Sequence, residues 1–280
     1  MTQTAAVAIG ALAGATVFLG LPVARMRGVP KAVQGFLNAV ATGILVFLLW
    51  DILTHAAGPV EAAIEQGRRG PFAAMAVIFA VGIGAGLLGL VYFNRSIFGH
   101  LRHGHAAPNP QSLALAIATG LGLHNLSEGL AIGESAHVGA IAFTGVLAIG
   151  FALHNITEGF GIAAPMTTEA KPAPWKFLAV AGLIGGGPTF LGTWIGYLAS
   201  STYFSIAFLA VAAGALLYVL NELFNLGRRI STPTTFAWGL LLGFLVAYAT
   251  DLFLTVASGA AQLATTSKPA SSGSKSCQSG

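Results

Sequence analysis

A pattern of metal-binding side chains occurs twice in this chain, each time within an apolar stretch. The two copies are HNLSEG at residues 124–129 and HNITEG at residues 154–159. Each copy places a histidine and a glutamate four residues apart, so both side chains share one face if the segment is helical. Imidazole and carboxylate groups together bind divalent ions such as Zn²⁺, Fe²⁺, Mn²⁺ and Cd²⁺. The pattern therefore predicts a metal site with mixed nitrogen and oxygen ligands.

The two copies are expected to lie side by side at similar depth. They occupy neighbouring apolar stretches joined by a short turn near residues 134–137, which favours an antiparallel pair of helices. The asparagine after each histidine adds a carbonyl oxygen at the edge of the same face. An alternative interpretation is a set of interhelical hydrogen bonds that hold a helix bundle together. The candidate ligands are His124, Asn125, Glu128, His154, Asn155 and Glu158.

The elements that must position these residues are membrane-spanning helices. The chain has 280 residues, of which 55% are hydrophobic and 8% are charged. Soluble domains carry about 25% charged residues, so the composition indicates an all-α membrane protein. Eight apolar stretches approach the ~20 residues that a spanning helix needs, and they form one transmembrane domain over residues 1–256. The polar tail, residues 257–280, is predicted to be disordered. The stretches are 4–24, 34–54, 72–94, 112–133, 138–163, 176–198, 204–224 and 235–256.

The basic residues predict how these helices are oriented. Nine lysines and arginines lie in the loops after the first, third, fifth and seventh stretches, and four lie on the opposite side. Because cytoplasmic loops are enriched in basic residues, both termini are predicted to lie outside. The expected location is the cytoplasmic membrane of a bacterial cell, with the lipid bilayer as a partner. The net charge of +4 does not require a nucleic-acid partner, because basic residues also set membrane orientation.

Two further features bear on metal chemistry. The loop after the third stretch contains three histidines, which could hold metal weakly on the cytoplasmic side or form an ordinary solvated loop. These histidines are His100, His103 and His105. The only cysteine, Cys277, lies in the tail. The sequence thus has neither a disulfide framework nor a cysteine-based zinc site.

The double motif resembles the ZIP (Zrt/Irt-like) family of metal transporters. Members of that family carry HNxPEG-type sequences in the fourth of eight helices and a related His-x-x-x-Glu-Gly in the fifth. The second copy here continues as HNITEGFGIAAP into Pro165, which closes this helix in similar proteins. The resemblance covers about residues 1–256. It implies a transporter that carries divalent ions, Zn²⁺ foremost, toward the cytoplasm, with homodimerisation as a further expectation.

The resemblance also implies roles for individual residues. His124, Glu128 and Glu158 match the primary site of the family, and Asn125, His154 and Asn155 match neighbouring positions. Polar residues near the outer mouth correspond to Asp51 and His55, which makes them candidates for the entrance. Glu222 matches an acidic residue near the inner end of the seventh helix and is the candidate for the exit. Its alternative role is an ion pair with Arg228 or Arg229. Asp251 matches no position in the family, and a structural hydrogen bond is expected for it.

The chain departs from the family pattern at two places. Ser127 and Thr157 replace the prolines of the motif, and a hydroxyl that bonds back to a carbonyl would bend the helix only mildly. Gly187 stands where many members have a glutamate, so one metal, or one tightly and one loosely bound metal, is expected, and Gly187→Glu is expected to create or tighten a second position. The run GGGP at residues 185–188 predicts a flexible or broken helix, or tight helix packing.

Two other functions use the same residues. An intramembrane metalloenzyme would need the ligands plus a general base, and a b-type haem protein would use His124 and His154 as axial ligands. The chain contains no HExxH motif, and carboxylates four residues from each histidine do not suit haem iron. A transporter is therefore the expected function, and an enzyme is not.

Overall fold

A computed structural model describes the chain except for residues 27, 29, 99–108, 170, 199–200 and 267–280. Side chains are not described for residues 93–98, 254 and 257–266. The described residues form only helices and their connections, as predicted. The α-helices are α1 (Gln3–Ala15), α2 (Val17–Gly20), α3 (Lys31–Glu65), α4 (Arg69–Phe98), α5 (Pro110–His137), α6 (Ile141–Ala163), α7 (Trp175–Leu198), α8 (Thr202–Ile230) and α9 (Pro233–Thr266). Short 3-10 helices follow α2 at Leu21–Arg25 and α6 at Ala164–Thr168.

Seven helical segments in the described part of the chain are long and apolar enough to cross a membrane. The first of them, Gln3–Arg25, combines α1, α2 and the following 3-10 helix. Eight spans were predicted from the sequence. The one that is missing from these seven is α5, which carries the first copy of the motif. Its 28 residues are long enough, but polar residues make it less apolar than the others.

Local sequence signals begin α5 and reverse the chain after it. The Asn109 side chain accepts a hydrogen bond from the Gln111 amide at 3.0 Å, and Pro110 occupies the first helical turn, where its missing N–H costs nothing. Gly139 adopts a φ of 79°, a left-handed conformation that suits glycine, and α6 begins two residues later. The short turn makes α5 and α6 consecutive helices of opposite direction.

Glycines let α5 and α7 approach at backbone distance. A Cβ added at Gly129 would collide with the Thr189 carbonyl, and one at Gly192 would collide with the Leu126 carbonyl. A Cβ at Gly122 would collide with the Ile184 carbonyl, and one at Gly133 with the Thr193 carbonyl, so the contacts advance in the same direction along both helices and α5 and α7 are parallel. The other neighbour of α7 is α1, where Gly14 meets Gly186, in the antiparallel sense. The GGGP run therefore lies in a continuous helix, and of its predicted alternatives the structure shows tight packing.

The remaining helices pack in the same way. α3 and α9 approach through Gly43 and Gly243, while α4 and α8 approach through Gly86 and Gly214. Large apolar side chains fill the space between these pairs and the motif helices. The last helix continues to Thr266, ten residues beyond the predicted end of the transmembrane domain at 256, so α9 extends into the segment predicted as a tail. Residues 267–280 lie outside the described part of the chain.

Candidate metal centre

The first copy of the motif faces the interior of the bundle. His124 and Glu128 lie one turn apart on α5, and each is 6% exposed. The His124 Nε2 atom is 3.4 Å from the Glu128 Oε1 atom. The sequence spacing predicted this shared face, because four residues span about one helical turn.

The second copy repeats this arrangement on α6. The His154 Nε2 atom is 3.6 Å from the Glu158 Oε1 atom, and the Glu158 side chain is fully buried. The imidazole rings of His124 and His154 lie 6.2 Å apart between their centroids. Ligand atoms of His124, Glu128 and His154 all lie within 4.8 Å of one another, and all three residues are buried. This group could hold a divalent metal ion between α5 and α6.

Glu158 also accepts a hydrogen bond from Asn125 of the first copy. The Asn125 Nδ2 atom donates to the Glu158 Oε2 atom at 2.7 Å and to the Gly185 carbonyl of α7 at 3.0 Å. Both amide hydrogens are thus used in fixing a carboxylate and a neighbouring helix. The Asn125 Oδ1 atom, which sequence analysis assigned to the metal, is buried without a hydrogen-bond partner.

Asn155 turns its amide toward a different helix. Its Nδ2 atom donates to the Ala13 carbonyl of α1 at 2.9 Å. The two asparagines occupy equivalent places in the motif, but their amides therefore bind different helices. The Asn155 Oδ1 atom is buried and has no hydrogen-bond partner.

Several buried polar atoms around the group have no hydrogen-bond partner. They include His124 Nδ1, Glu128 Oε2, His154 Nε2 and Glu158 Oε1. Most buried polar atoms in folded proteins are hydrogen-bonded, and each exception costs free energy unless another ligand satisfies it. The interhelical hydrogen bond from Asn125 satisfies one oxygen of Glu158, but it leaves these four histidine and glutamate atoms without a hydrogen-bond partner. The donor set fits a divalent cation better than it fits packing alone.

The hydroxyls that replace the motif prolines behave differently. The Thr157 Oγ1 atom donates to the His154 carbonyl at 2.6 Å, which is the predicted back-bonding to the preceding turn. The Ser127 Oγ atom is buried and makes no such bond. The helical backbone continues through both motifs.

Asp51 and His55 contact each other on α3. The His55 Nδ1 atom is 3.2 Å from the Asp51 Oδ1 atom, and the two side chains are 66% and 22% exposed. Asp251 on α9 lies close enough to interact electrostatically with both residues, a neighbour that sequence analysis did not identify. Asp51 also interacts electrostatically with His124 and His154. These residues form a polar patch between α3 and α9.

Glu222 lies on α8, far in sequence from both copies of the motif, and it is 9% exposed. Within the described residues no ion pair joins it to Arg228 or Arg229. Asn38, which sequence analysis did not select, is fully buried and donates to the Leu223 carbonyl at 3.3 Å. A single asparagine in an apolar span was the available signal for it. The loop histidines His100, His103 and His105 lie outside the described residues.

Gly187 does not face the candidate metal centre. A Cβ added there would meet no atom within 4 Å. Its neighbours on the same face of α7 are Leu183, Leu191 and Trp194, which are 62%, 47% and 48% exposed. The face of α7 that approaches the site is instead the one with Gly185. The expected second metal position at Gly187 is therefore incompatible with this packing.

No protein-family model matches the chain, and no curated protein matches it either.

Proposed function

We propose that this protein transports divalent transition-metal ions, Zn²⁺ foremost and also Fe²⁺, Mn²⁺ or Cd²⁺, across a membrane. The supporting observation is the buried group of His124, Glu128 and His154 in a bundle of helices of membrane-spanning length. Ionisable side chains at membrane depth are costly and usually mark the path of an ion or substrate. The resemblance of the double motif to the ZIP family supports the same function, and we propose membership on that basis.

The chemistry of the site suits a carrier. Two imidazoles can replace waters of hydration, while carboxylates at Glu128 and Glu158 offset the charge of a dication in a medium of low dielectric constant. Transport requires that this site open alternately to the two sides of the membrane. Nothing in the sequence is a nucleotide-binding motif, so ATP is not the direct source of energy. We propose one tightly bound ion per chain and net movement toward the cytoplasm.

We further propose that α5 is an eighth span and that both termini lie outside. α5 runs parallel to α7 over a long contact that includes Gly129 and Gly192, so it crosses the same thickness as a helix that is apolar enough to span. Its polar residues face the interior instead of lipid, which lowers its hydropathy without preventing insertion. The nine-to-four distribution of basic residues supports the orientation in a bacterial cytoplasmic membrane.

The remaining polar residues supply a route to and from the centre. Asp51 interacts electrostatically with both motif histidines, and His55 contacts Asp51. We propose both residues at the entrance. Glu222 is a buried carboxylate on α8, toward the end of the bundle opposite Asp51 and His55. We propose it at the exit. The loop after the third span is predicted to lie on the cytoplasmic side, and we propose that its three histidines receive the ion after release.

Uptake of Zn²⁺ into proteoliposomes tests the proposal, with the wild-type protein beside Glu128→Gln and Ser127→Ala. Glutamine keeps the shape of the glutamate but removes the charge, so transport should fall by about 100-fold or more. Ser127 is adjacent on the same helix, and its buried hydroxyl has no hydrogen-bond partner, so alanine should retain most of the activity. Thermal unfolding of each variant establishes that the protein still folds.

Two results would contradict the proposal. Equal uptake of Zn²⁺, Fe²⁺, Mn²⁺ and Cd²⁺ by Glu128→Gln and the wild type would mean that the motif serves packing instead. A Soret absorption band in the purified protein, lost on substitution of His124 or His154, would favour the haem alternative.

A further inference from the structure

The first span is interrupted beside the candidate metal centre. α1 ends at Ala15 and α2 begins at Val17, with Thr16 at the junction. The Ala13 carbonyl accepts the Thr16 backbone N–H at 3.3 Å, a turn tighter than that of a regular α-helix. Such an interruption changes where the backbone carbonyls point and makes them available to other donors.

The Thr16 side chain connects this interruption to α6. Its Oγ1 atom lies 2.7 Å from the Ala13 carbonyl and 2.6 Å from the Ala152 carbonyl. A threonine hydroxyl has one hydrogen, so the two carbonyls share it. Ala152 precedes His154 by two residues, and the connection therefore reaches the turn that carries the second histidine.

Asn155 reaches the same carbonyl from the other direction. Its amide donates to Ala13 at 2.9 Å, so Thr16 and Asn155 converge on one acceptor. Backbone contact reinforces the connection, since a Cβ at Gly159 would collide with the Val17 carbonyl. The turn containing His154 is thus held against the interruption by two side chains and a close glycine contact.

The position of the His154 imidazole depends on this turn. Its Nε2 atom is buried without a hydrogen-bond partner, and its contact with the Glu158 Oε1 atom, at 3.6 Å, lies within the same helix. By contrast, Glu158 is held directly by Asn125 at 2.7 Å. The orientation of the α6 backbone over residues 152–155 is what brings His154 toward His124.

We infer that Thr16 is a positioning residue for metal binding, acting through the Ala13 carbonyl and Asn155 on the placement of His154. The inference rests on the proposed function, because it assigns Thr16 a role in the same metal site. Thr16 itself contacts no candidate ligand atom. Its contribution is to keep the α6 turn in the orientation that allows three ligands to meet.

The experiment measures Zn²⁺ affinity by calorimetry and Zn²⁺ uptake for Thr16→Val, Thr16→Ser and Thr250→Val. Valine keeps the size of threonine without the hydroxyl, so affinity should fall about tenfold, which is the order of one net hydrogen bond. Uptake should show a raised KM with a smaller change in maximal rate. Serine keeps the hydroxyl and should restore wild-type affinity. Thr250 donates to the Val246 carbonyl of its own helix at 3.0 Å, and its substitution should leave affinity unchanged.

A double-mutant cycle with Asn155→Ala separates positioning from general stability. Because both side chains act on one carbonyl, the loss of affinity in the double variant should be smaller than the product of the two single losses. Independent, multiplicative losses would overturn the inference, as would wild-type affinity in a folded Thr16→Val protein. Failure of the wild type itself to bind Zn²⁺ would instead refute the proposed function. Thermal unfolding of each variant identifies losses that come only from misfolding.

Discussion

Asn125 shows how a residue chosen as a ligand can have a different partner in the folded protein. Sequence analysis assigned its carbonyl oxygen to the metal, but its amide nitrogen donates to Glu158 and to the Gly185 carbonyl. One side chain therefore links α5, α6 and α7 at the depth of the motif. Without metal, this amide supplies the hydrogen bond that stabilises the buried Glu158 carboxylate.

Replacing Asn125 by aspartate should destabilise the metal-free protein. The new carboxylate would face Glu158 and a carbonyl oxygen in place of an amide donor, and an uncompensated buried charge costs roughly 3–5 kcal/mol. Thermal unfolding should show a lower transition temperature, partly restored by Zn²⁺ because a dication offsets the added charge. Unchanged stability without metal, together with tighter Zn²⁺ binding, would show that Asn125 serves only as an oxygen ligand.

Gly187 leads to a revised prediction for the helix that lacks a motif glutamate. The exposed face of α7 contains Gly187 between Leu183 and Leu191, away from the metal centre. Gly187→Glu should therefore leave the stoichiometry of bound metal, measured by elemental analysis, unchanged. A charge on a lipid-facing surface should also reduce insertion or stability, by about 3 kcal/mol near mid-membrane. Gly187→Gln is the matched uncharged control, and a rise toward two metals per chain would restore the original expectation.

At the scale of helices, reciprocal glycine contacts define which elements pack at backbone distance. α4 offers a matched pair of positions, because Gly86 faces the Val211 carbonyl of α8 while Gly84 faces open space. Gly86→Ala should destabilise the protein by about 1–3 kcal/mol, since a Cβ there would force the helices apart. Gly84→Ala should be neutral or stabilising by about 0.5–1 kcal/mol, because alanine favours the helix. Thermal unfolding in detergent measures both, and equal effects would contradict the packing.

The helices and the motif pair follow from local sequence properties. Hydrophobic length predicts the elements, and the four-residue spacing predicts that His124 and Glu128 share a face. α5 illustrates the limit of hydropathy alone, since its polar residues remove it from the seven most apolar segments. Its assignment as a span depends on recognising that polar residues can face the bundle interior.

The partners of individual side chains could not be predicted, because they depend on rotations between helices. Asn125 and Asn155 occupy equivalent places in the two motifs, yet one faces α7 and the other faces α1. A rotation of one residue about α7, near 100°, likewise separates Gly186 at a helix contact from Gly187 on the exposed face. Thr16 carries no sequence signal of its own, since its role arises only where α1 is interrupted beside α6.

The orientation of the whole molecule gives a prediction that is independent of the metal site. Gln66 and Lys171 are exposed in connections at opposite ends of the bundle, after α3 and after α6. In cells producing the protein with Cys277→Ser, Gln66→Cys should react with a membrane-impermeant thiol reagent. Lys171→Cys should react only after the cells are permeabilised, because the connection that contains it lies on the side richer in basic residues. Labelling of Lys171→Cys but not Gln66→Cys in intact cells would place both termini inside. Transport toward the cytoplasm would then run through the fold in the reverse direction, from the proposed exit to the proposed entrance.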